Sequence, residues 1–224
     1  MGQLVAALAA DHGCEIAAIA EIDRPLDTVL ARAGQVDVAI DFSRAEAVEG
    51  NLTMLAEARI NAVVGTTGWQ DRAADLRALV DRAGIGVLAS ANFSLGMNAF
   101  VFVVEEAART FATMGDVGAW IHEAHHAAKR DAPSGTALML ERAMIAAGYP
   151  RPVDLSSTRA GAIPGTHVVG FDASAETVTL THAVRDRSVF AHGALEAAKW
   201  LNGRRGWFTM RDMIAGGYET PPEL

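Results

Sequence analysis

Residues 123–136 read EAHHAAKRDAPSGT. His125, His126 and Lys129 bring three proton-carrying groups into five positions, and Pro133-Ser134-Gly135-Thr136 follows as a turn that opens a helix. The lysine is informative. The chain has 19 basic residues, of which only Lys129 and Lys199 are lysines. Arginine stays charged at any working pH, whereas lysine can give its proton away. A lysine in a chain that otherwise uses arginine suits a site that needs a proton donor. The start of a helix presents free N–H groups and the positive end of its dipole, so Ser134, Gly135 and Thr136 suit a carboxylate or phosphate. The segment thus reads as an anion cradle beside a proton donor. Each part also has a plainer reading, as a surface histidine or a simple cap, but the whole set within fourteen residues favours a site. Zinc is disfavoured, because no third strong ligand stands at metal spacing and lysine is a poor zinc ligand.

Two further turns carry weaker signals. GTTGW (65–69) and SANFSLG (90–96) each follow a short apolar run. In parallel α/β folds, ligands sit at the carboxyl ends of the strands. Gly65 allows a sharp turn there, and Thr66 and Thr67 offer hydroxyls and N–H groups; Asn92 or Ser94 can cap the helix that follows. Glu21 ends the run 15–20, a place where dinucleotide-binding sheets use an acid to hold ribose hydroxyls. A strand-to-helix turn and a solvated acid are the plain alternatives.

The elements that must position these groups fall into two halves. EIAAIA (15–20), VDVAID (36–41), INAVVG (60–65) and IGVLAS (85–90) fit strands buried on both faces. Between the last three lie helical patterns, with Val48, Leu52, Leu55 and Ala56 on one face of 45–59, and Leu76, Leu79 and Val80 on one face of 71–83. This alternation predicts a doubly wound parallel sheet. The second half predicts a long helix over 95–112, a strand over 116–126, a helix over 134–148, strands over 166–171 and 176–184, and a helix over 190–201. That is an α+β pattern with an open mixed sheet. RAGAIPGTH (159–167) is a second polar, Gly-rich segment, either a loop that reaches the site or only a hairpin entry. The expected division is a dinucleotide-binding domain at 1–93, to which 189–224 returns, and a substrate-binding and oligomerisation domain at 94–188.

The chain opens inside a helix, 1–11, with no preceding strand and Gly-rich turn. As written it is therefore expected to bind a dinucleotide weakly and to be less stable than a version extended upstream. With 224 residues, 50% hydrophobic, the chain has ample core for one large or two small domains. A net charge of -8 argues against binding nucleic acid by charge. No apolar run is long enough for a membrane, and the one cysteine, Cys14, excludes an intrachain disulfide. A cytosolic protein fits.

Taken together, EAHHAAKRDAPSGTAL (123–138), VDVAIDFSRAEAVEGNL (36–52), VVGTTGW (63–69), ANFSLGMN (91–98), RAGAIPGTHVVGFD (159–172) and FAHGALEAAKWL (190–201) resemble segments of the dihydrodipicolinate reductase family, in the family's order. The resemblance covers nearly the whole chain. It implies a Rossmann-like cofactor domain, a substrate domain on an open mixed sheet, and a homotetramer. It also implies reduction of 4-hydroxy-tetrahydrodipicolinate to tetrahydrodipicolinate by NADH or NADPH, in lysine and diaminopimelate biosynthesis. By motif it makes His125 and Lys129 the catalytic pair, with Lys129 the proton donor. His126, Ser134, Gly135 and Thr136 would bind substrate carboxylates. Gly65, Thr66, Thr67 and Ser90, Ala91, Asn92, Phe93 would contact the cofactor, and Glu21 its ribose. Glu21 suits a free ribose hydroxyl, hence NADH, while Arg24 is near enough for a 2′-phosphate, so use of both is expected. Another dehydrogenase of this architecture, or a non-catalytic dicarboxylate-binding remnant, is the competing reading.

Overall fold

The computed structural model describes residues 1–216. The chain forms two compact units, Met1–Leu95 with Ser188–Leu224, and Gly96–Arg187. The expected return of 189–224 to the first domain includes residues beyond 216, which lie outside the described residues.

In the first unit, short apolar runs pair as a parallel sheet in the order β1 (Val38–Asp41), β2 (Asn61–Val64), β3 (Gly86–Ala89), β8 (Gly206–Phe208). Side chains alternate across a strand. Val63 therefore enters one core with α1 (Gly2–Leu8) and α7 (Ser188–Leu201), while Ala62 and Val64 enter a second core with α3 (Ala45–Glu57) and α4 (Ala73–Ala83). Helices on both faces of a parallel sheet make this half doubly wound, as the alternation predicted. The Asn61 amide accepts from Gly86 N (2.7 Å) and donates to Leu201 O (2.9 Å), tying β2 to β3 and to the end of α7.

One expected strand does not form. Residues 15–20 have no ladder partner among the described residues, and Ile16 and Ile19 are 40% and 45% exposed. An apolar run becomes a strand only when a neighbour satisfies its N–H and C=O groups, and here none does. The run ends in a turn bridged between Glu21 and Arg24, which precedes the short helix α2 (Leu26–Leu30).

The second unit is a mixed sheet ordered β5 (Val153–Arg159), β4 (Gly118–His125), β6 (Thr166–Asp172), β7 (Thr177–Ala183). β4 and β5 are parallel and are joined through α6 (Gly135–Ala146), whereas β6 and β7 are antiparallel. One face packs Ala119, Ile121, Val169 and Phe171 against α5 (Leu95–Ala112) and α6. On the opposite face, Trp120, His122 and Val168 are half-buried. Sequence periodicity does not predict the strand β5, whose largely polar run VDLSSTR is exposed at Asp154, Ser156 and Ser157 and half-buried elsewhere. The short β8 and the helix α8 (Met210–Ala215) also lay beyond it.

Candidate functional site

In the first unit, the carboxyl ends of β1 and β2 are organised by one carboxylate. Asp41 is 8% exposed; its Oδ1 accepts from Ser43 N (2.7 Å) and Thr66 Oγ1 (3.1 Å), and its Oδ2 from Asn51 (2.9 Å). Trp69 Nε1 donates to Thr66 O (2.6 Å), closing the second turn. A cavity of about 440 Å³ opens there, lined by Phe42, Ser43, Arg44, Gly65, Thr66 and Thr67 among others. Gly65 owes its identity to a close approach: a Cβ would lie 2.1 Å from the Phe42 ring. The donor set of a guanidinium, hydroxyls and turn amides suits the phosphates and ribose of a nucleotide.

The second predicted turn follows β3. Ser90 Oγ donates to Asn92 O (2.8 Å), Asn92 Oδ1 accepts from Ser94 N (2.9 Å), Ala91 is exposed, and Phe93 is buried edge-on against Phe42. The structure does not bring Glu21 to that cavity lining. It lies in its exposed turn, ion-paired with Arg24 at 3.1 Å, beside an 84% exposed Ile22.

In the second unit, alternation along β4 divides the histidines. His122 points to the open face, where Nδ1 meets Ser156 Oγ at 2.9 Å. Glu123 and His125 share the face toward α6. Glu123 is fully buried, and its two oxygens are fully engaged. Oε2 bonds to His125 Nδ1, while Oε1 accepts from Arg159 Nη2 (2.6 Å) and Ser134 N (3.3 Å). Burial raises the Glu123 carboxyl, but the hydrogen bond from Arg159 and the other donors and charges around it override this and hold it at about 2. It is therefore an anion at any working pH. Burial pushes His125 below the ordinary histidine value; Glu123 opposes this shift, and Lys129 and Arg159 add to it.

His167 pairs in register with Glu123 across β6, and its ring stands edge-on to His125 at 5.2 Å. Its Nε2 lies 3.3 Å from Ser134 Oγ. At 4% exposure, burial lowers its pKa to about 4, with the charges around it contributing. Neither its Nδ1 nor Arg159 Nε has a protein partner.

Lys129 Nζ lies 2.7 Å from Asp131 Oδ1 in the loop before α6. Hydrogen bonding to Lys129 pulls the Asp131 carboxyl down, and the backbone of Gly135 contributes. Ser134 is the N-cap of α6, accepting from Ala137 N at 3.2 Å; Gly135 and Thr136 form its first turn. Here the helix start is met by the protein's own carboxylates, Glu123 at Ser134 N and Asp131 at Gly135. His126 is half-buried just past β4, and its carbonyl accepts from Lys129 N (3.1 Å).

Sequence spacing missed a third metal-competent group. Ligand atoms of Glu123, His125 and His167 lie within 4.8 Å of one another. The sequence expectation on ligand spacing is corrected to that extent. Yet both Glu123 oxygens already accept hydrogen bonds, and the Arg159 guanidinium sits where a cation would be repelled. The set is wired as a hydrogen-bond network. Of its members, Glu123 was legible from the period-two spacing Ile121-Glu123-His125. Arg159 and His167 carried no such signal, since they come from neighbouring strands.

Residues 1–93 match the family description "Dihydrodipicolinate reductase, N-terminus", and residues 96–214 match "Dihydrodipicolinate reductase, C-terminus". A 4-hydroxy-tetrahydrodipicolinate reductase of Caldanaerobacter subterraneus is 35% identical over 244 residues, covering 97% of this chain and 95% of its own. One from Neisseria gonorrhoeae is 36% identical over 213 residues, covering 86% and 77%. Among solved structures, a dipicolinate-bound dihydrodipicolinate reductase from Paenisporosarcina sp. TG-14 superposes with a TM-score of 0.75 at 19% identity, covering 93% of this chain and 92% of its own. A C. glutamicum DAP dehydrogenase in complex with DAP has a TM-score of 0.55 at 14% identity, covering 96% and 95%. At those identities the two structures speak to the fold alone.

Proposed function

Because the chain belongs to the dihydrodipicolinate reductase family, we propose that it reduces 4-hydroxy-tetrahydrodipicolinate to tetrahydrodipicolinate, using either NADH or NADPH. The observation that carries the reading is the Glu123–His125 pair beside Lys129 and the capped start of α6. The nicotinamide, when bound, supplies the hydride. The residues able to hold the dinucleotide are those of the Asp41-organised turns, Arg44 and Gly65 to Thr67, with Ser90 to Phe93. The Glu21–Arg24 pair supports use of both cofactors, the acid for a free ribose hydroxyl and the guanidinium for a 2′-phosphate.

The chain's own residues supply charge and a proton. Hydride addition to a conjugated imine needs a proton at the other end of the system, and the Lys129 ammonium can deliver it. Glu123 holds His125 Nδ1, which leaves Nε2 for the substrate. His126, Ser134, Gly135 and Thr136 are the groups we assign to the substrate carboxylates. Those carboxylates would replace Asp131 as the anion at Lys129 and the start of α6.

The open face of β5-β4-β6-β7, bearing Trp120 and Val168, supports assembly of copies through this sheet as a homotetramer. No described helix is long and apolar enough to cross a membrane, and a biosynthetic enzyme of this kind belongs in the cytosol.

The test is oxidation of NADH and NADPH by the 224-residue chain, supplied with freshly generated 4-hydroxy-tetrahydrodipicolinate. Substrate-dependent oxidation is expected. Its absence, with dipicolinate still binding, would favour the non-catalytic dicarboxylate binder.

A further inference from the structure

We propose that Glu123 is a positioning residue for the reaction: it locks the His125 imidazole in the Nδ1–H tautomer, leaving Nε2 as the atom presented to substrate. The proposal rests on the reductase reading for the chemistry it serves, but the tautomer is a property of the chain alone.

Three observations carry it. First, an ionised carboxylate can only accept. Glu123 Oε2 bonds to His125 Nδ1, so that nitrogen carries the hydrogen. The carboxylate is itself held, because Oε1 accepts from Arg159 Nη2 at 2.6 Å and from Ser134 N at 3.3 Å. Arg159 is anchored in turn on Asp131 O (2.5 Å) and Thr158 O (2.8 Å). The His125 ring plane is thus referred back to β5, to the loop before α6 and to that helix's N-cap.

Second, the backbone approaches Nε2 without a side chain: Gly165 is at φ +149, and a Cβ there would lie 3.3 Å from His125 Nε2. A side chain at 165 would cover the nitrogen that Glu123 leaves free. Third, the groups around His125 agree on its charge. Burial above all, and then Lys129 and Arg159, disfavour a protonated ring, while Glu123 opposes them. In the resting enzyme His125 is therefore a neutral acceptor at Nε2. It can accept a hydrogen bond there as it stands, and when it takes a proton Glu123 stabilises the imidazolium that forms. A carboxylate that orients an imidazole and supports its charge acts through the histidine and does not itself touch substrate.

Glu123→Gln replaces this acceptor with an amide of the same shape. With the amide oxygen kept on Arg159, its NH2 group faces His125 Nδ1 and forces the other tautomer. The measurement is two-bond proton–nitrogen NMR on isotope-labelled histidine, above the ordinary histidine pKa, for the full chain and for Glu123→Gln and Glu123→Asp. The wild type is expected to show His125 with Nδ1 protonated and Nε2 bare. Glu123→Gln is expected to move the proton to Nε2, and to lower kcat about 100-fold or more with KM changed by less than about threefold. Glu123→Asp keeps the carboxylate, and is expected to keep the Nδ1–H tautomer and recover part of kcat. A wild-type His125 protonated on Nε2 would overturn the proposal, and needs no variant to fold. So would a folded Glu123→Gln protein with unchanged kcat. A wild type with the Nδ1–H tautomer and no turnover would instead sink the reductase reading, leaving the Glu123–His125 geometry confirmed.

Discussion

Glu123 and His125, two residues apart on β4, leave the strand on the same face, and the buried carboxylate of one holds the Nδ1 of the other. The other members of the cluster are arranged around that contact. Arg159 and the Ser134 N–H satisfy the second carboxylate oxygen, His167 stands edge-on to the imidazole, and Lys129 lies in the following loop.

Lys129→Met removes the proposed proton donor while keeping most of the side chain's length. Turnover is expected to fall by about 100-fold or more. Dipicolinate, used as a cyclic dicarboxylate probe in calorimetry, should still bind. Turnover within about threefold of wild type would end the assignment.

Gly165→Ala places a methyl group against His125 Nε2 at a backbone angle that side chains rarely adopt. It is expected to cut kcat/KM by about tenfold or more. Strain at this φ alone costs about 1–2 kcal/mol of stability, so a thermal melt on the same sample separates the two effects.

Acid should destabilise the second unit in two stages. His167 titrates near 6.5 when unfolded and at about 4 when folded. Its folded pKa is depressed, so the unfolded chain binds the extra proton, and stability is full above about pH 6.5 and falls as pH drops toward 4. Glu123 shifts from 4.5 to about 2, so its contribution is lost below about pH 4.5. The His167 step is worth about 3.5 kcal/mol at most, since one pKa unit is about 1.4 kcal/mol. His167→Gln should reduce the slope of melting temperature between pH 6.5 and 4, the remainder belonging to His125 and His182, which burial also lowers, and leave the lower stage in place. An unchanged slope would show that another group titrates there.

Asp41→Ala strips one acceptor from Ser43 N, Thr66 Oγ1 and Asn51 together. Stability is expected to drop by about 1–3 kcal/mol. Affinity for NADH and NADPH should weaken as the β1 and β2 turns lose their shared anchor. Fluorescence titration of both dinucleotides reads this, and unaltered affinity would move the cofactor contacts away from these turns.

Trp120→Asp puts a charge on the open face of β4. If copies assemble through that face, light scattering should report a smaller particle than wild type. Equal masses would exclude this face as the interface.

The elements that the sequence disclosed were those whose signal is local. The 95–112 helix appears as Leu95–Ala112, and Val48, Leu52, Leu55 and Ala56 form the buried stripe of α3. A helix closes its hydrogen bonds within its own segment, so its periodicity suffices. The cluster HHAAKRDAPSGT named His125, Lys129 and the start of α6 for the same reason. The run 15–20 shows the limit. Its composition is that of a buried strand, yet strand pairing is made by neighbours, and none pairs with it among the described residues. The polar strand β5 is the converse case, a strand because β4 lies beside it.

By itself, then, the sequence determined the family, the two-part α/β architecture, and the motif to which we assign the proton chemistry. Only the tertiary structure decided that Arg159 from β5 and His167 from β6 meet Glu123 and His125 from β4, and that His122 does not. The reason is register. Strand pairing sets Arg159 opposite His125 and His167 opposite Glu123, and each pairing joins residues more than thirty positions apart, a separation that no local periodicity spans.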